Sequence, residues 1–133
     1  MQPIDFLYKP ILPHQMRQFW EAGGSYRLTD FNGQKFSYFF SRRQDAAQRA
    51  AYYARELGET CYVMSLLLND SSREYFEMIG ETNSGGSILG IAVETLEQCF
   101  PQARKHTRII TACVAEENQF ATIEAQLAED MMR

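Results

Sequence analysis

The chain has 133 residues, of which 45% are hydrophobic and 23% charged, with a formal net charge of −4. These proportions fit one globular domain with a sizeable core and exclude the disordered, collagen-like and disulfide-dense classes. No apolar run reaches the about 18 residues of a membrane span, and an overall acidic balance argues against nucleic acid as the main ligand.

Residues 1–24 read as an N-terminal arm and short helix, and residues 25–133 as the sheet-and-helix core. Pro3, Pro10 and Pro13 make the arm irregular or extended. Pro13 can open a short helix running to about Ala22, with Met16, Phe19 and Trp20 on its apolar side and Gly23-Gly24 after its end. His14 lies in its first turn and reads as a surface or capping histidine.

Residues 25–40 predict a hairpin. Asn32-Gly33 suits a type I′ turn, where both central residues need positive φ, and this register sets Asp30 opposite Lys35. One face of the hairpin then carries Arg27, Phe31, Phe36, Tyr38 and Phe40. Covered by helices, that face is core; left open, its aromatics can meet a protein or stack bases.

A helix over 41–57 follows, with Ser41 and Gln44 as a capping box and Gly58 as the stop. Its inner stripe is mostly alanine (Ala46, Ala47, Ala50, Ala51, Ala54), which lets a helix lie close on a sheet. Arg49, Tyr52 and Arg55 stand on the outer face, and Arg42 and Arg43 sit in a first turn whose dipole favours anions. The apolar run 61–68 suits a central strand buried on both faces.

Asn69 to Ser72 form a turn cluster. Residues 73–80 alternate like a strand, expected to form a second hairpin with 61–68; Ser71-x-x-Glu74 is also a helix capping box, and the strand is the reading taken. The loop 82–87, rich in Gly and Ser, leads into a helix expected over about 88–100 with Ser87 as its cap and Pro101 after its end. Thr107 to Val114 read as a buried strand, and 118–132 as a last helix with Glu124, Glu129 and Asp130 outward. The order is roughly αββαββαβα. It implies an α+β fold: an antiparallel or mixed β-sheet of about five strands, with helices packed mainly on one face.

The chemistry-bearing residues are sparse. His14 and His106 are the two histidines, and neither pairs with a cysteine at ligand spacing, so no metal site is expected. Cys61, Cys99 and Cys113 are widely spaced in apolar runs, as buried reduced thiols are in a cytoplasmic protein. No basic segment followed by an apolar one marks a secretory leader. No catalytic residue and no cofactor is expected. Charge is uneven: eight Lys/Arg against five Asp/Glu in residues 1–57, and five against twelve in residues 58–133.

The sequence therefore favours a small protein-binding module of inhibitor, immunity or accessory type, with possible homo-oligomer formation through its basic and acidic halves. The candidate interaction surface is Arg27, Phe36, Tyr38, Arg42, Arg43, Arg49, Tyr52, Arg55, Glu124, Glu129 and Asp130. The first alternative is nucleic-acid binding by the 25–40 hairpin and the Arg-bearing helix. The second is a small enzyme holding a phosphorylated cofactor on the N–H groups of the 82–87 loop.

Overall fold

Six strands and four helices alternate along the chain in a computed structural model that describes residues 5–21, 35–102 and 105–113. They are β1 (Phe6–Ile11), α1 (Pro13–Glu21), β2 (Phe36–Phe40), α2 (Arg43–Leu57), β3 (Cys61–Leu67), α3 (Asp70–Arg73), β4 (Glu77–Glu81), β5 (Ser87–Ala92), α4 (Val93–Cys99) and β6 (Thr107–Cys113). All strands join one antiparallel sheet in the order β4-β5-β2-β1-β3-β6. The α+β class and the strand-rich single sheet are as the sequence implied. Residues 25–34, with Arg27 and the Asn32-Gly33 turn, and residues 118–132, with Glu124, Glu129 and Asp130, lie outside the described residues.

Alternate residues on a strand face opposite sides, so the sheet builds two cores. One holds Leu7, Ile11, Phe39, Met64, Leu66, Ile91 and Ile109, and α1 and α4 add Met16 and Leu96 to it. The other holds Phe40, Cys61, Val63 and Cys113 beneath α2, whose Ala46, Ala50 and Ala54 are fully buried. Alanine is what allows that close approach. Gly58 ends α2 at φ 67 and returns its N–H to the Ala54 carbonyl, the left-handed stop foreseen for it.

The strand β1 corrects the expectation of an irregular arm. Leu7, Lys9 and Ile11 point into one core, and residues 6–11 pair along their whole length with β3. Leu68 N–H donates to the Asp5 carbonyl, so Asp5, Leu7 and Lys9 bond towards β3 while Tyr8 and Pro10 face β2. Pro10 has no N–H to offer there, and the ladder to β2 contains Tyr8↔Phe40 alone among described pairs. In that register Tyr38 lies opposite Pro10, and its carbonyl accepts from Lys9 Nζ at 2.9 Å instead. A buried lysine thus supplies the donor that proline lacks. Its ammonium also lies 5.0 Å from the Phe39 ring centroid, and burial pulls its pKa down to about 8.

Two local expectations are overturned. Residues 88–92 are strand, and the helix begins only at Val93; β5 is paired on both edges, by β2 and β4, and its apolar residues alternate between the core of Ile91 and the face of Ile88 and Gly90. The strand expected over 73–80 is shorter and later, β4 over Glu77–Glu81, and it pairs with β5 and not with residues 61–68, whose edges are taken by β1 and β6. Between them Asn69, not Ser71, caps the short α3: its side chain accepts from Ser72 N–H at 2.9 Å while Ser72 Oγ accepts from Asn69 N–H.

Candidate protein-binding surface

The site begins with the spacing of aromatics on β2. Phe36, Tyr38 and Phe40 share the sheet face on which α2 lies. Helix α2 covers Phe40, which is 9% exposed, but does not reach Tyr38 at 47% or Phe36 at 53%. With Ile79 they form a contiguous exposed apolar patch, and aromatics of this kind are enriched in protein interfaces.

On β5, Gly90 lies opposite Tyr38. Its missing side chain leaves a floor, walled by Tyr38 on one side and Ile79 on the other, each 3.6 Å from where a Cβ would stand. Tyr75, Glu77, Ala92 and Thr95 complete an open groove of about 500 Å³. Strand β4 forms its outer wall. The β4–β5 register shifts between Met78 and Gly80, so Ile79 is a bulged residue, and bulges re-aim side chains. Met78 and Ile79 are both more than half exposed. Sequence reasoning missed Tyr75, Glu77, Met78 and Ile79; exposed apolar residues in an edge strand were the available signal, hidden by the wrong strand partner.

Two residues further along β2 and β5, Phe40 and Ile88 floor a second groove of about 450 Å³. Arg49 and Tyr52 of α2 line one side and Glu81 and Asn83 the other. The fold therefore brings four predicted residues, Phe36, Tyr38, Arg49 and Tyr52, onto one face. It takes two others elsewhere. Arg42 donates to the Ser84 carbonyl, and Arg43 donates to Thr111 Oγ1 at 3.0 Å on β6. Arg55 is exposed in the last turn of α2.

The 82–87 loop is a β-turn latched onto the start of α2. Thr82 Oγ1 and Ser84 Oγ both donate to the buried Asp45 carboxylate at 2.8 Å. Gly86 N–H donates to Thr82 Oγ1, Gly85 N–H to the Thr82 carbonyl and Ser87 N–H to Ser41 Oγ. Ser41 is thus a strand–turn link rather than the helix cap, and Arg42 occupies the cap position without a side-chain bond to the helix N-terminus. A Cβ on Gly86 would stand 2.5 Å from Asp45 Oδ2, and Gly85 holds φ 88. Both glycines are explained by the latch. With these N–H groups engaged and a carboxylate beside them, the geometry gives a phosphate no cradle here.

Charge divides along the same line. From Glu74 to Gln102 the chain has five glutamates (Glu74, Glu77, Glu81, Glu94, Glu97) and no lysine or arginine, and all five are exposed. The β4–β5–α4 end of the sheet is acidic, whereas α2 carries the arginines. The thiols lie apart from both grooves. Cys61 faces Cys113 across β3 and β6, and burial pushes their pKa values up to about 11 and about 12. His106 stacks edge-on against Phe100 at 5.1 Å, and no group of three His, Cys, Asp or Glu among the described residues can hold a metal. No described helix is long and apolar enough to cross a membrane.

Comparison of the chain with protein-family models, with curated proteins and with solved structures found no match.

Proposed function

We propose that this protein is a small cytoplasmic binding module, of inhibitor, immunity or accessory type, that works by gripping another protein and not by catalysis. The observation that carries this reading is the exposed pair Phe36 and Tyr38, standing with Ile79 around a groove on a face that α2 leaves uncovered. Aromatic anchors beside a pocket are the usual energetic centre of a protein interface. Nucleic acid is a weaker fit. Arg42 and Arg43 are engaged within the fold, and the groove wall carries Glu77, which repels phosphate.

The test is capture of partners from the native source, with and without nuclease, by wild type and by the double variant Phe36→Ser/Tyr38→Ser. A stoichiometric protein kept through nuclease treatment and lost by a folded double variant is the expected result. Capture that disappears with nuclease supports the nucleic-acid alternative. A partner held equally by the double variant overturns this choice of surface.

A further inference from the structure

Resting on that reading, we infer that the open edge of β4 accepts an extended, basic segment of the partner protein as an added strand. The segment's Lys or Arg side chains lie against Glu77 and Glu81, and one apolar side chain enters the groove floored by Gly90.

The first argument is the edge itself. Strand β4 is the last strand of the sheet order, and among the described residues nothing pairs with its outer side. An edge of this kind presents a row of unpaired N–H and C=O groups, the template for strand addition. Edges are commonly blunted with lysine or proline, and β4, Glu-Met-Ile-Gly-Glu, has neither. What it has is a glutamate at each end and two exposed apolar side chains between them.

The second argument is charge. Residues 74–102 contain no lysine or arginine, so β4 itself offers an incoming strand only negative charge, with Arg42 and Arg49 approaching at its Glu81 end alone among the described contacts. Directly opposite charge pairs on neighbouring strands stabilise, and like pairs destabilise. The same rule disfavours a second copy. An antiparallel β4–β4 pair would bring four glutamates, Glu77 and Glu81 of each copy, to one seam with no cation from either strand. A basic strand of different sequence meets no such penalty.

The third argument is the groove. A strand beside β4 places alternate side chains over the same sheet face, next to Ile79, Tyr38 and the Gly90 floor. Main-chain bonds then supply affinity, and the glutamates and the groove supply selection.

The experiment uses the full chain, 15N-labelled, at low ionic strength. It is titrated with a capped peptide containing Lys-Thr-Val-Thr-Lys, whose lysines and valine share one strand face, and with versions in which both lysines are glutamate or the central valine is proline. Amide shifts centred on β4 and its neighbour β5 are expected. Binding should be weaker by about tenfold for the glutamate peptide and lost for the proline peptide. The variant Glu77→Lys/Glu81→Lys, checked for fold by circular dichroism, should prefer the glutamate peptide. Equal binding of the proline peptide, shifts centred on α2, a preference unmoved by the charge reversal, or dimerisation through β4 would each overturn the inference. The two ideas fail separately. If the captured partner depends on Phe36 and Tyr38 but survives the charge reversal, the basic strand is wrong and the binding module stands. A partner unaffected by Phe36 and Tyr38 sinks the module reading itself.

Discussion

Along the face of the sheet that α2 packs on, one part is sealed and another is left open, and hydrophobicity does not distinguish them. Over β1, β3 and β6, small residues on α2 meet Val63, Cys61 and Cys113, and water is excluded. Over β2 and β5, beyond the reach of the helix, the side chains are larger and more aromatic, yet Phe36 and Tyr38 stand exposed. The lesson is that cover depends on what lies above a strand. An alanine stripe sets how closely a helix can approach, and its length sets how many strands it covers. Apolar area outside that shadow is available for a partner.

The comparison can be broken most severely from the core. Phe39 is fully buried and meets the Phe76 ring edge-on at 5.7 Å. Phe39→Ala should cost about 3–5 kcal/mol by denaturant unfolding. Phe36→Ala, three residues away on the same strand, should cost less than about 1 kcal/mol, and an equal loss would show that the open face is in truth packed.

Next is the latch joining the two regions. Gly86→Ala forces a methyl group onto the Asp45 carboxylate. It should lower stability by about 1–3 kcal/mol and raise amide exchange at residues 82–87 before anywhere else. Asp45→Asn, which keeps the shape but removes the charge that three hydroxyl–carboxylate bonds converge on, should show a smaller loss in the same loop.

A smaller effect appears with pH. Lys9 has its pKa pulled down to about 8 by burial, from an ordinary 10.5. Between those values the unfolded chain binds more protons than the folded one, so stability rises with pH. The slope approaches about 1.4 kcal/mol per pH unit at its steepest. Below about pH 8 both states are charged and the cost of burying the ammonium is fully present. Lys9→Met should flatten the rise between pH 8 and 10.5 and leave the Tyr38 carbonyl short of a donor.

The mildest probe is thiol labelling of the native protein. Burial raises the pKa of all three thiols, but Cys61 and Cys113 are buried, whereas Cys99 is half-buried near the surface. Alkylation at neutral pH should therefore mark Cys99 first, and mass spectrometry of the peptides would read the order. Early labelling of Cys61 or Cys113 would show that the sealed region opens.

Much of the fold was legible in the residues. The alanine stripe and Gly58 define α2, the nearly continuous apolar run 61–68 marks a central strand buried on both faces, and Thr107 to Val114 reads as a buried strand. These depend on local periodicity and local caps. The failures share a different cause. The arm 6–11 contains Pro10, a local signal against strand, which is overridden because Lys9 supplies the missing donor. Residues 88–92 are apolar enough for either helix or strand, and enclosure between β2 and β4 decided it. The candidate surface was half legible. Phe36, Tyr38, Arg49 and Tyr52 were named from alternation and the helical wheel. Glu77, Met78 and Ile79 were not, because their importance follows from β4 being an edge.

The sequence by itself determined the class, the helix α2 and the buried stripes of α2, β3 and β6, since periodicity and burial preference act within a few residues. Only the tertiary structure decided which strands pair, which aromatics lie beyond α2 and why Gly86 faces a carboxylate. Those outcomes depend on contacts between residues 29 to 68 positions apart, such as Lys9 with Tyr38, Asp45 with Thr82 and Arg43 with Thr111, and no local pattern encodes them.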